Sequence, residues 1–261
     1  MIIDSFCGAN ARGNRHHIVH LKPRPPGDSA SCDAIISEAQ ANSLISASTN
    51  TVLLWQQQRQ WQARFYDRGQ PVRRCGSGTI AVAAYLCQTA YHGDFTQALE
   101  TAAGRVIIGH DRHGAHYTDY PCAITGFDNR RRWARLCQTP IHKAVRIGGR
   151  QDYTLLLLPD THALQQMKPP GRSFALYSRR SVIALCPAPH HWQLRYFAPQ
   201  YGVPEDAATG SACVQASAYL THIGKGRHFD FVQYSPARGI MHTEVLARRV
   251  TVRGHYNTLA N

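Results

Sequence analysis

Two stretches of the chain alternate apolar and polar residues in the same way, and each runs into the same kind of turn. Trp61-Gln-Ala-Arg-Phe-Tyr66 and Trp192-Gln-Leu-Arg-Tyr-Phe197 both carry the two-residue period of a half-buried strand. A Gly-Ser turn follows each, and then a run of helix length with no formal charge. Thr79 to Leu86 is one such run. Ala212 to Leu220 is the other, with Gln215 and small polar groups as its only polar content. A helix that is apolar nearly all round must be covered on nearly every side, and a curved sheet is the natural cover. Further strands are predicted at Thr51 to Trp55, Arg105 to His110, Tyr153 to Leu158, Ser181 to Cys186 and Val250 to Arg253.

The two runs align without gaps. Cys75 to Leu86 and Thr209 to Leu220 lie 134 positions apart and share five of twelve residues: Gly76/Gly210, Ser77/Ser211, Ala84/Ala218, Tyr85/Tyr219 and Leu86/Leu220. The flanks match as well, Arg64-Phe65-Tyr66 against Arg195-Tyr196-Phe197, with three more residues in the second linker. An internal repeat of about half the chain predicts two similar units. The expected fold class is α+β: two pseudo-symmetric domains, residues 1–125 and 126–261, each a barrel-like sheet around one central apolar helix. The final strand is left free to return to the first domain. The two units are expected to face one active-site cleft.

Composition narrows the function. The opening MIIDSFCGAN has no apolar run of signal-peptide length, and no stretch approaches the 18 apolar residues of a membrane span. A cytoplasmic protein without membrane association is expected. None of the eight cysteines forms a C-x-x-C pair, so neither a zinc signature nor a disulfide framework is indicated. The net charge of +13 is spread over short arginine clusters such as Arg130-Arg131-Arg132. That pattern suits a small anionic substrate or a solvated basic surface, and no nucleic-acid motif accompanies it. His16-His17 and His190-His191 lack helical ligand spacing and are read as surface residues.

The chemistry is expected at the two helix starts. A helix N-terminus leaves backbone N–H groups unpaired and carries partial positive charge. Gly76-Ser77-Gly78 and Gly210-Ser211 are therefore cradles for a carboxylate. Cys75 precedes the first, where a thiol pKa is lowered and a thiolate can take a proton from carbon; the bland alternative is a small buried cysteine. Cys213, inside its helix, is read as core. Asp206, with Glu205 beside it, lies three residues before Thr209. It is a candidate acid or a helix cap, and Thr209 itself is a candidate N-cap.

The segment Arg195-Tyr-Phe-Ala-Pro-Gln-Tyr-Gly-Val-Pro-Glu-Asp-Ala-Ala-Thr-Gly-Ser-Ala212 resembles the signature of the PhzF (phenazine-biosynthesis) family, a relative of diaminopimelate epimerase and proline racemase. Asp4-Ser-Phe6 with Gly13-Asn14, and Gln233-Tyr-Ser-Pro-Ala-Arg-Gly239, resemble the family's opening and late motifs. The resemblance implies cofactor-free proton transfer next to a carbonyl or carboxylate: an isomerase, epimerase or racemase, often a homodimer. The chain departs from the pattern at Asn50, where the family's Ser-Glu-Thr-Val carries a glutamate acid/base, and at Ser77, where Cys-Gly-His carries a histidine. Cys75-Gly-Ser-Gly78 is instead similar to the Cys-Gly-Asn-Gly of diaminopimelate epimerase, whose second cysteine corresponds to Thr209. The resulting expectation is Cys75 and Asp206 as catalytic groups. Asn14, Asn50, Gly76, Ser77, Gly78, Thr209, Gly210 and Ser211 would bind the substrate, with no cofactor and no metal. A binding protein that kept the fold without the chemistry is the alternative.

Overall fold

The computed structural model describes residues 1–22, 31–171, 174 and 178–259. The chain is mixed α+β and divides into two compact units. Unit 1 comprises Met1–Ser5, Asn14–Tyr117 and Gly254–Asn261, and unit 2 comprises Phe6–Gly13 and Thr118–Arg253.

The first half of the chain runs β1 (Ile2–Cys7), β2 (Asn14–His20), α1 (Cys32–Ala41), β3 (Asn50–Gln57), β4 (Gln60–Asp67), β5 (Gln70–Val72), α2 (Gly76–Leu86), β6 (Phe95–Thr101), β7 (Gly104–Asp111) and β8 (Gly114–Asp119). The second runs β9 (Ile124–Phe127), α3 (Arg130–Cys137), β10 (Lys143–Ile147), β11 (Tyr153–Leu157), α4 (Thr161–Gln166), β12 (Ser181–Pro187), β13 (Trp192–Phe197), α5 (Gly210–His222), β14 (His228–Gln233), β15 (Gly239–Leu246) and β16 (Arg249–Leu259). The order β1-β2-β3-β4-β6-β7-β8-β16 returns to its start, because β16 also pairs with β1. Closure of this path pairs each of its strands on both sides, while among the described residues β5 pairs only with β4. The order continues β16-β15-β14-β13-β12-β11-β10-β9. Among the described residues, no helix is long and apolar enough to cross a membrane.

The two uncharged helices are crossovers. α2 connects β4 to β6, and α5 connects β13 to β14, and each of these strand pairs is parallel. A parallel pair cannot be joined by a tight hairpin; it needs a connection of a dozen or more residues, usually a helix. In α2 every residue except Gly76 and Tyr85 is buried. It packs on β2, β3 and β7, as α5 packs on β12, β14 and β15. Complete burial of Ile80, Val82 and Leu86 stabilises unit 1 by about 1.5–3 kcal/mol per side chain. This explains why α2 carries no polar face.

The remaining helices cover sheet faces. α1 packs Ile35 and Ala39 against Leu53, Trp55 and Tyr66. In unit 2, Trp133 and Cys137 of α3 and Ala163 and Leu164 of α4 join Leu156, Val182, Ala184 and Phe197 in one core. The tip of β1 is held unusually: Phe6 is fully buried at φ +61°, a conformation bulky residues rarely adopt. Its neighbour Gly239 is forced to be glycine, because a Cβ there would run into the Cβ of Ala208.

Candidate functional site

In unit 1 the backbone at Cys75 is extended (φ −147°, ψ 104°) and α2 begins at the next residue, so Cys75 is the N-cap. Its sulfur accepts the Gly78 N–H at 3.3 Å and lies 3.5 Å from Ser77 Oγ. The thiol is half-buried, not enclosed. Thr79 fastens the cap from below, its hydroxyl donating to the Cys75 carbonyl at 2.7 Å. Gly78 leaves room for this turn: a Cβ there would lie 2.8 Å from Phe65 Cδ1 and 3.2 Å from the Cys75 sulfur. Of the predicted cradle, the Gly78 N–H is thus given to sulfur. The Gly76 and Ser77 N–H groups occupy the first helical positions, where no carbonyl of their own helix can reach them.

Strand β2 supplies the other wall. Its burial alternates, and Asn14, His16 and Ile18 are the buried members. Asn14 Nδ2 donates to Ser77 Oγ at 3.0 Å, and His16 Nε2 lies 2.9 Å from the same oxygen. Asn50 opens β3 directly beside His16 in the parallel pair and donates to the Arg15 carbonyl at 3.2 Å. Asn14, Cys75, Gly76, Ser77 and Gly78 are therefore gathered around the start of α2, and Asn50 lies one strand over, beside His16. The reading of His16 as a surface residue is corrected here: it is 1% exposed, and burial pushes its pKa down to about 4, outweighing the pull of Asp4 and Asp67. The signal was the strand alternation, which puts positions 14, 16 and 18 on one face.

In unit 2 Thr209 is the N-cap of α5, but its hydroxyl makes no cap bond; it donates to Asp206 Oδ2 at 2.6 Å. Asp206 Oδ1 accepts the Ala207 N–H at 2.8 Å. Gln233 closes the network, accepting the Thr209 N–H at 2.7 Å and donating to the Asp206 carbonyl at 2.8 Å. Ser235 donates to the Ala207 carbonyl at 2.6 Å. Gly210 and Ser211 occupy the first turn of α5. Glu205, the acid beside Asp206, is engaged elsewhere: it takes both Arg195 Nε and Nη2, at 2.7 and 2.9 Å. Arg195 also donates to the carbonyls of Leu164 and Met167. Cys213 is fully buried, with its pKa raised by burial, as a core thiol should be.

The whole chain can be set beside known proteins. The model of the family described as PhzC-PhzF, phenazine biosynthesis-like protein, matches residues 3–260. The chain belongs to the PhzC-PhzF family. A PhzC/PhzF protein of Clostridium difficile (strain 630) superimposes with a TM-score of 0.78 over 99% of this chain and 96% of that one, at 19% identity. A hydroxyproline epimerase from Agrobacterium vitis, solved with trans-4-OH-L-proline, gives 0.59 over 99% and 90%, at 14% identity. These likenesses place the PhzC-PhzF chain in the diaminopimelate-epimerase-like fold, with its barrel of β-sheet. The trans-2,3-dihydro-3-hydroxyanthranilate isomerase of Pseudomonas chlororaphis is 33% identical over 79 residues, 29% of this chain and 28% of that protein. The match thus spans about a quarter of that isomerase's length.

Proposed function

We propose that this PhzC-PhzF protein is a cofactor-independent isomerase, epimerase or racemase that moves a proton next to the carboxylate of a small molecule, an amino acid or a derivative of one. The observation that carries the reading is the Cys75 sulfur: half-buried, at the N-cap of α2, and receiving the Gly78 N–H. In this reading each unit is one copy of the repeat, a barrel-like sheet around its buried helix.

The chemistry follows from the residues. Cys75, as the thiolate, takes the proton from the carbon beside the carboxylate and becomes the thiol. The electron pair left behind spreads onto the carboxylate as an enolate. Backbone N–H groups at Gly76 and Ser77 stabilise charge of that kind. The proton returns by one of two routes. Delivery by a second acid to the opposite face inverts the centre, whereas return from Cys75 to a conjugated carbon moves a double bond. Asn14 and Asn50 orient the substrate's polar groups.

A second reading, a small-molecule-binding protein, has its own observation. Asn50, where the family pattern has a glutamate, cannot exchange a proton, and its side chain is given to the Arg15 carbonyl.

Incubation in heavy water with L-amino acids and unsaturated acids, followed by mass and chiral analysis, separates these outcomes. Deuterium at the α-carbon with inversion indicates two proton-transfer groups; deuterium without inversion, or a shifted double bond, indicates one. Binding without any exchange supports the second reading. Full exchange by Cys75→Ala overturns the role of the thiol.

A further inference from the structure

Ser77 Oγ has one proton to give and two lone pairs to accept with, and three polar atoms surround it. Asn14 Nδ2 at 3.0 Å is a donor and takes one lone pair. His16 Nε2 at 2.9 Å and Cys75 Sγ at 3.5 Å can each act either way. Two arrangements satisfy this count. In one, the hydroxyl donates to His16 and its second lone pair holds the thiol proton. Forming the thiolate then passes a proton through Ser77 and leaves an imidazolium. Burial holds His16 near 4, so that cation is disfavoured at neutral pH. In the other, neutral His16 donates from Nε2, both lone pairs of Ser77 are occupied, and the hydroxyl proton is left for the sulfur.

We propose that Asn14 and His16 lock Ser77 as a hydrogen-bond donor to the Cys75 sulfur, making His16 a positioning residue that favours the thiolate. The inference rests on the reading of Cys75 as the base. It explains how a proton-abstracting thiol can work with a serine next to it and no charged histidine. The sulfur gains two donors, Ser77 O–H and Gly78 N–H. Among the described residues, the carboxylates that act on His16 are Asp4, paired with Arg15 at 2.8 Å, and Asp67, paired with Arg68 at 3.1 Å. Both carboxylates pull His16 upward. Exposed Arg73 and Arg74 lead into Cys75.

The test is the pH dependence of Cys75 alkylation by iodoacetamide, read on the Cys75 peptide of the full chain by mass spectrometry. Ser77→Ala should raise the midpoint by about one pH unit, as the loss of one hydrogen bond to a charged group would. His16→Leu should move it in the same direction. His16→Gln, whose amide can still donate to Ser77, should stay near the parent value. Thermal unfolding at pH 8 checks that each variant is folded, and Ser77→Ala remains decisive if His16→Leu is not. An unchanged midpoint in Ser77→Ala, or equal shifts in His16→Gln and His16→Leu, overturns the inference. The titration needs no substrate. Shifts as expected in a protein that exchanges no deuterium would sink the catalytic reading and spare this one; Cys75-dependent exchange without the shifts would do the reverse.

Discussion

The starts of α2 and α5 share a backbone plan and differ in what they fasten. Both begin after an extended N-cap residue, continue Gly-Ser, and cross over between parallel strands. At α2 the cap is a sulfur that stays half-exposed, with a hydroxyl, an amide and an imidazole arranged behind it. At α5 the cap is a threonine whose hydroxyl and N–H are both taken, by Asp206 and Gln233. The strand arginines diverge in the same sense. Arg64 lies over the Trp55 ring and reaches the Ala63 carbonyl, whereas Arg195 is buried and gripped by Glu205. A duplicated frame can thus keep reactive chemistry at one copy and turn the other into a rigid mount, because side chains at three or four positions decide which groups remain available.

Four changes would break or sharpen that contrast. The largest effect is expected from Cys75→Ala, which should lower deuterium exchange about 1000-fold, a typical loss for an acid–base group, with stability lowered only by the lost cap bond, about 1 kcal/mol. Next, Glu205→Gln leaves the buried Arg195 charge unpaired and should destabilise the protein by about 3 kcal/mol in urea unfolding. Third is the pH response of His16, titrating at 6.5 when unfolded and about 4 when folded. Below pH 6.5 the unfolded chain binds the proton that the folded chain refuses, so stability falls as pH drops from 6.5 towards 4. The limit is about 3 kcal/mol, and His16→Gln should flatten this part of the profile. The smallest is Gln233→Leu, which strips the Thr209 N–H of its acceptor and should cost about 2 kcal/mol without touching the α2 cluster.

Much of the fold was legible along the chain. The strands at Trp61 and Trp192 and both uncharged helices lie where alternation and full apolarity predict them, because burial on one face or all faces imposes those patterns directly. The α3 helix was less legible. Arg130-Arg131-Arg132 reads as a basic cluster, yet it forms the first turn of a helix that buries Trp133 and Cys137. The start of α2 was found from Cys75-Gly-Ser-Gly78, since its capping groups are adjacent in sequence. His16 was missed because its partner is 61 residues away.

The sequence alone therefore determined the family signature, the repeat and the two helix starts, since these depend on local pattern and on neighbours within a few residues. Only the tertiary structure decided which polar residues serve each start: His16 behind Ser77, Gln233 beneath Thr209, and Arg195 on Glu205. Those pairings depend on strand register and on which face of a strand meets the helix, and a buried polar group is satisfied only by what packing brings within hydrogen-bonding distance.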